Sequence, residues 1–208
     1  MSKRVLAIAL MSLAMAVPSA PVVEAHNDDD PRVVLEWNTM AVTVTGGNPF
    51  TQARFMAITQ LAVFEAVNAV TGKYEPYLGT ILEAPGASAE AAAIEAAYRV
   101  LKHYFPTNAL LDPARATSLA AIPDGNAKSR GIATGEAAAA AMIANRIGDN
   151  SAPPPAGLYT PGPPDPGKWQ LTPSCTSGGG VFLNWRTVTP FGIRSVDRFI
   201  SDPPPSLT

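Results

Sequence analysis

Three polar side chains on one apolar helix are the first place to look for chemistry. Arg54, Glu65 and Asn68 lie in the run Arg54–Tyr77, separated by 11 and 3 positions. At about 100° per residue they fall on nearly one helix face, together with Ile58 and Leu61. A guanidinium and a carboxylate in so apolar a setting must meet partners, because an unpaired buried charge costs several kcal/mol. If Arg54 faces a cavity, it offers an anion site. The plainer reading, adopted here, is that Arg54 and Glu65 form a buried pair or tie neighbouring helices together.

The remaining reactive residue types are sparse. The chain has two histidines, His26 and His103, and one cysteine, Cys175, so no intrachain disulfide can form. His103 sits in Lys102-His103-Tyr104-Phe105, late in a helical stretch, without further ligands at metal-binding spacing. It reads as a half-exposed structural histidine near a helix C-terminus, where a cation is favoured. His26 would bind copper only with a ligand cluster that the sequence does not supply. Ser174, Cys175 and Ser177 would act as nucleophiles only beside a base, and no histidine is paired with them; Cys175 reads as an ordinary thiol. Ser177-Gly178-Gly179-Gly180 looks like a phosphate cradle but lacks the following lysine and helix start, so it reads as a flexible turn. Glu36, Glu65, Glu90, Glu95 and Glu136 are helical carboxylates, and no Glu-x-x-His accompanies them as a di-iron bundle requires. No catalytic, cofactor-binding or metal-binding residue is assigned in this chain.

The elements that hold these residues are helical. The 208 residues are 47% hydrophobic with a formal charge of −2, which suits one ordinary domain, or one domain plus a tail. That charge leaves no basic footprint for nucleic acid or an anionic membrane. Residues 1–25 read as a signal peptide: Lys3 and Arg4, an apolar Val5–Val17, and a small-residue cleavage site at Val23-Glu24-Ala25. The apolar run is shorter than the ~20 residues of a membrane span. The mature protein is therefore expected to be periplasmic or secreted, with no span after signal removal.

Residues 26–149 predict a helical bundle of about five helices. Asp30-Pro31 starts the first, with Asp as N-cap and Pro at the first helical position, and it runs to about Val44. Gly46-Gly47 ends it, and Asn48-Pro49 starts the second, which continues to Gly72. Ser88 caps a third helix filled by Ala89–Phe105 and stopped by Pro106. A shorter fourth is expected over Asn108–Ile122 and a fifth over Asn126–Arg146. In the fifth, Gly131, Gly135 and Ala139 make a smooth strip suited to close backbone approach. Residues 150–208 change character. Twelve of the 21 prolines lie between Pro153 and Pro205, which disfavours helix and central strand alike. Trp169, Phe182, Leu183, Trp185, Phe191, Ile193 and Phe199 are too many large apolar groups for a plain linker. The segment reads as an ordered, irregular arm laid across the helices.

Trp37-Asn38, then Pro49…Arg54…Ala62…Glu65-Ala66-Val67-Asn68-Ala69…Tyr74-Glu75-Pro76-Tyr77, resembles the N-terminal helical region of bacterial vanadium-dependent haloperoxidase-like proteins, of the type 2 phosphatidic acid phosphatase superfamily. The resemblance continues through Ile122-Pro123-Asp124-Gly125, Gly131…Gly135 and Arg146…Asp149. It extends into the arm at Trp169…Thr172-Pro173…Trp185…Thr189-Pro190-Phe191 and Pro203-Pro204-Pro205-Ser206-Leu207. Glu65 stands where Asp is more usual, and Gln60 where His often stands. The resemblance implies an all-α fold. It also implies an oxyanion site for vanadate or phosphate built from a Lys, two Arg, a Pro-Ser-Gly-His run and a second His. That run is absent here, so no family catalytic residue carries over, and vanadate belongs to a full-length relative rather than to this chain. The expectation is an N-terminal scaffold fragment, an incomplete domain inactive alone, whose parent is a haloperoxidase or a phosphatase. Its partner would be the missing C-terminal half or a second copy, and the isolated chain should self-associate through exposed apolar surface. The alternative is a non-catalytic exported helical module that binds a partner through its Pro-rich aromatic arm.

Overall fold

The structure is a computed structural model that describes residues 31–151, 160–165, 167–174, 179–180, 182, 185 and 187–202. The expected signal peptide, His26, Cys175, Ser177, Leu183 and the Pro203–Pro205 run lie outside the described residues.

Five helices carry the fold: α1 (Arg32–Thr45), α2 (Pro49–Thr71), α3 (Ala89–Tyr104), α4 (Leu111–Ala120) and α5 (Asn126–Asn145). Among the described residues there is no β-strand, so the fold is all-α. The helix ends follow local chemistry. The Asn48 side chain accepts hydrogen bonds from the Phe50 and Thr51 amides, with Pro49 opening α2. Gly72 takes the left-handed conformation (φ 60°) that closes α2, and its N–H donates to the Asn68 carbonyl. Ser88 Oγ accepts from the Ala91 amide at the start of α3.

Two expected boundaries are corrected. Pro31 occupies the cap position rather than the first helical turn, and among the described residues no side chain caps α1; Asp30 lies outside the described residues. The fourth helix is shorter than Asn108–Ile122. Asn108 Oδ1 accepts from the Leu110 amide and holds the chain in a turn, so regular helix begins only at Leu111. Pro113 then falls in the first turn, where its missing N–H costs nothing.

α3 is the hub. It packs on α1, α2, α4 and α5, and Ala91, Ala92, Ile94, Ala96, Ala97, Val100 and Leu101 along it have no exposed surface. Its closest neighbour is α5. A Cβ built on Gly131 would stand 2.4 Å from the Ser88 carbonyl oxygen, and one on Gly135 2.4 Å from the Ala92 carbonyl oxygen. The two backbones meet at these glycines, and the expected smooth strip, completed by buried Ala139, faces α3. α2 lies alongside both, burying Ile58, Ala62 and Ala66. By length and composition alone α2 could cross a membrane; here it is a strut of the bundle.

The close approach decides the sign of a substitution. In an open helix Gly→Ala gains about 1 kcal/mol of helix propensity. At Gly135 the added methyl would overlap backbone atoms that cannot swing aside, a strain of about 1–3 kcal/mol or more. Gly135→Ala is therefore expected to lower the melting temperature by several degrees, measured by circular dichroism. A rise in Tm would show that α3 and α5 do not touch at this point.

Candidate functional site

The residues expected to carry chemistry do not come together. Arg54 and Glu65 lie three helical turns apart on α2, and each has a different partner. The Arg54 guanidinium donates through Nη2 to Asp149 Oδ2 at 2.8 Å, an ion pair whose side chains are only 9% and 3% exposed. Glu65 instead accepts the Tyr77 amide on Oε1 at 2.5 Å. Asn68 grips the same loop from both sides: Nδ2 donates to the Tyr74 carbonyl and Oδ1 accepts the Tyr74 amide. The reading of an Arg54–Glu65 pair is thus corrected. An α-helix separates residues 11 positions apart by about 16 Å, beyond the reach of a direct ion pair. The tie between elements stands for Arg54, while Glu65 and Asn68 are loop clamps.

Asp149 reaches Arg54 because α5 ends four residues earlier and the chain turns through Gly148 at φ 70°. Burial alone would raise the Asp149 carboxyl. Hydrogen bonds from Ser151 and Arg54 outweigh it and hold the group below the ordinary carboxylate range. Beside it, Arg146 is almost fully buried. Its Nη1 donates to the Thr189 carbonyl, its Nε and Nη2 to Asn145 Oδ1, and its guanidinium lies 4.2 Å from the Phe191 ring centroid. The Thr189 amide donates to the Asp149 carbonyl. Arg146 and Asp149 therefore fasten the arm at Thr189–Phe191 to the end of α5. The described parts of the arm are irregular, as expected, with a short 3-10 turn over Val196–Phe199.

A second charge cluster centres on Glu95 of α3. Glu95 has no exposed surface and accepts from Arg99 Nε at 2.6 Å and Arg115 Nε at 2.7 Å, and Arg99 also pairs with Glu136. Read from sequence as one of several helical carboxylates, Glu95 is the junction of α3, α4 and α5. Its partners are 4 and 20 residues away. The i,i+4 partner was visible in sequence, and the α4 partner had no local signal.

The sequence gives no hint of the cleft at the end of the bundle. About 510 Å³ lies between the N-terminal turn of α2, the C-terminal ends of α3 and α5, and the arm. Arg54, Asp149 and Arg146 line it with Tyr104, Phe182 and Trp185. His103 stands at its edge, exposed rather than half-exposed as expected, with its ring edge-on to Tyr104. Burial raises the Tyr104 hydroxyl above its ordinary value, against the opposing charge of Arg54. Among the described residues no group of three or more His, Cys, Asp or Glu is placed to hold a metal. No family model, curated protein or solved structure matches the chain.

The Arg54–Asp149 pair sets an acid dependence. The folded-state carboxyl is depressed below its unfolded value of ~3.9. Its contribution is present above about pH 4 and is lost as pH falls through the lower folded value. Asp149→Asn strips the charge from beside a nearly buried guanidinium and should cost about 3 kcal/mol at pH 7. Urea melts at pH 7 and pH 3 are expected to show a smaller difference in the variant than in the parent. An equal difference in both proteins would remove Asp149 as the source.

Proposed function

We propose that this chain is the non-catalytic helical scaffold of an exported protein of the vanadium haloperoxidase-like or acid phosphatase-like kind, inactive by itself. One observation carries the reading: the residues behind the resemblance are engaged in structural contacts, several of them with one another. Trp37 is buried and donates to Ser118 Oγ, and Asn38 accepts from Gln60. Arg54 holds Asp149, Glu65 holds Tyr77, and Asn68 holds Tyr74. Gly131 and Gly135 seat α5 on α3, and Arg146 holds Thr189 and Phe191. A pattern used up in this way encodes a shape. The oxyanion chemistry of the resembled family needs a Pro-Ser-Gly-His run that the 208 residues do not contain.

The exported location rests on the N-terminal sequence pattern. A scaffold also needs a face for what it supports. Leu35 and Val42 on α1 are exposed, as are Leu82 and Leu110 in the loops. A second reading, a module that binds a protein partner through its arm, is favoured by the exposed Trp169, Phe199 and Ile200. Reading the coding DNA past Thr208 separates the two. A frame that continues into the basic and Pro-Ser-Gly-His motifs supports the scaffold, and an immediate stop supports the arm-binding module.

The purified chain is expected to hydrolyse p-nitrophenyl phosphate no faster than buffer. It should likewise leave bromide unoxidised with vanadate and hydrogen peroxide. Turnover in either assay would overturn the scaffold reading. Light scattering is expected to show self-association, and a monodisperse monomer with a sharp melt would count against it.

A further inference from the structure

The cleft at the end of the bundle carries an inference independent of the scaffold role. Its volume of about 510 Å³ falls within the ~300–1,000 Å³ of small-molecule sites. Phe55, Tyr104, Phe182 and Trp185 give it aromatic walls. The charges that line it are two guanidiniums, Arg54 and Arg146, and one carboxylate, Asp149, an excess of one positive charge.

The donors of the two arginines are not equally engaged. Arg146 spends its nitrogens on Asn145, Thr189 and Tyr77. Arg54 gives Nη2 to Asp149, but its Nε is buried with no hydrogen-bond partner. An unmade buried N–H costs about 1–3 kcal/mol, so Arg54, in the wall of the cleft, is the less satisfied of the two guanidiniums.

The backbone points to the same place. Among the described residues two non-glycine residues have positive φ, Asn150 at 65° and Phe182 at 58°. Both line this cleft. For phenylalanine the left-handed region is unfavourable by roughly 1–2 kcal/mol. Strain of this kind gathers at ligand clamps, where the surrounding structure holds it in place. Phe182 is fixed there by Phe50 and Trp185, with ring centroids 5.1 and 5.2 Å away.

We propose that the cleft binds a small aromatic monocarboxylate, its ring packed against the contacting Phe182–Trp185 pair and its carboxylate at Arg54. A single negative charge matches the excess of one positive charge, and a flat ring matches the aromatic walls.

Phenylacetate is the probe, titrated calorimetrically into the full chain at about 0.15 M salt. Benzyl alcohol and inorganic phosphate serve as the ring-only and anion-only arms. Saturable phenylacetate binding is expected, at least about tenfold tighter than either comparison probe, equivalent to ~1.4 kcal/mol. Arg54→Met is expected to abolish it. Because Arg54 also closes the fold, Thr51→Trp is the second variant. Thr51 lines the cleft at the N-terminal turn of α2, and a bulky ring there fills the space; this variant should keep the parent's melt and lose binding. Four results would each overturn the proposal. They are no saturation by about 10 mM, benzyl alcohol binding as tightly as phenylacetate, phosphate binding as tightly as phenylacetate, or phenylacetate binding unchanged in a folded Thr51→Trp variant.

Discussion

The contact of α3 with α5, backbone against backbone at Gly131 and Gly135, is the constraint from which the rest of the arrangement follows. Two helices normally stand 8–10 Å apart, held off by side chains. Here the carbonyls of Ser88 and Ala92 occupy the space that a Cβ would need. The alanines of α3 keep its other faces flat enough for α1 and α2 to approach as well. The fixed line of α5 on α3 sets where α5 ends. That end delivers Arg146 and Asp149 to one spot, and both the arm and the N-terminal part of α2 are fastened there. Each glycine weakens its helix by about 1 kcal/mol; the burial of Ala91, Ala92, Ala138, Ala139 and Met142 offsets it.

The charged ties act as locators more than as sources of stability. An apolar pair of the same shape often does as well as a buried ion pair, because the desolvation of both ions offsets their attraction. What Arg54 and Asp149 add is a unique register: the guanidinium meets the carboxylate only if α2 and the turn after α5 lie where they do. The same holds for Glu95, which accepts from α3 and α4 at once. Glu65 and Asn68 place the Tyr74–Tyr77 loop, and that loop places the Tyr77 hydroxyl 3.4 Å from Arg146. Among the described residues these polar groups form two sets, one around Arg54, Asp149 and Arg146 and one around Glu95, and neither brings a nucleophile and a base into contact.

What was legible in the sequence was local. Asn48, Ser88 and Gly72 act on backbone groups within four residues, so their roles could be read directly. The Gly131–Gly135 strip was legible because its four-residue spacing states the packing geometry. The partners were not legible. Asp149 lies 95 residues from Arg54, and nothing in the run Arg54–Tyr77 chooses it over Glu65. A shared helix face suggested a pair, but axial distance rules one out. The fourth helix starts later than the sequence suggests because Asn108, a good starting residue, closes a turn first. The cleft was invisible for a related reason. Its walls come from α2, α3, α5 and the arm, and the positive φ of Phe182 breaks the usual rule for a bulky residue, so no sequence pattern announces it.

The cleft and the arm are thermodynamically one object. Phe182 and Trp185 belong to the arm and touch α2 through Phe50, while Arg54 and Asp149 belong to the bundle. A ligand seated among them contacts both, so it binds only when the arm is docked. It then stabilises the docked arm by RT ln(1 + [L]/Kd), about 2.7 kcal/mol at a hundredfold excess over Kd. The strain at Phe182 works against docking without the ligand and sets how much of that energy the arm requires. The arm is also fastened at Thr189 and Phe191 by Arg146, which lines the same cleft. Occupancy of the cleft would therefore add to the contacts by which Arg146 already holds the arm on the bundle.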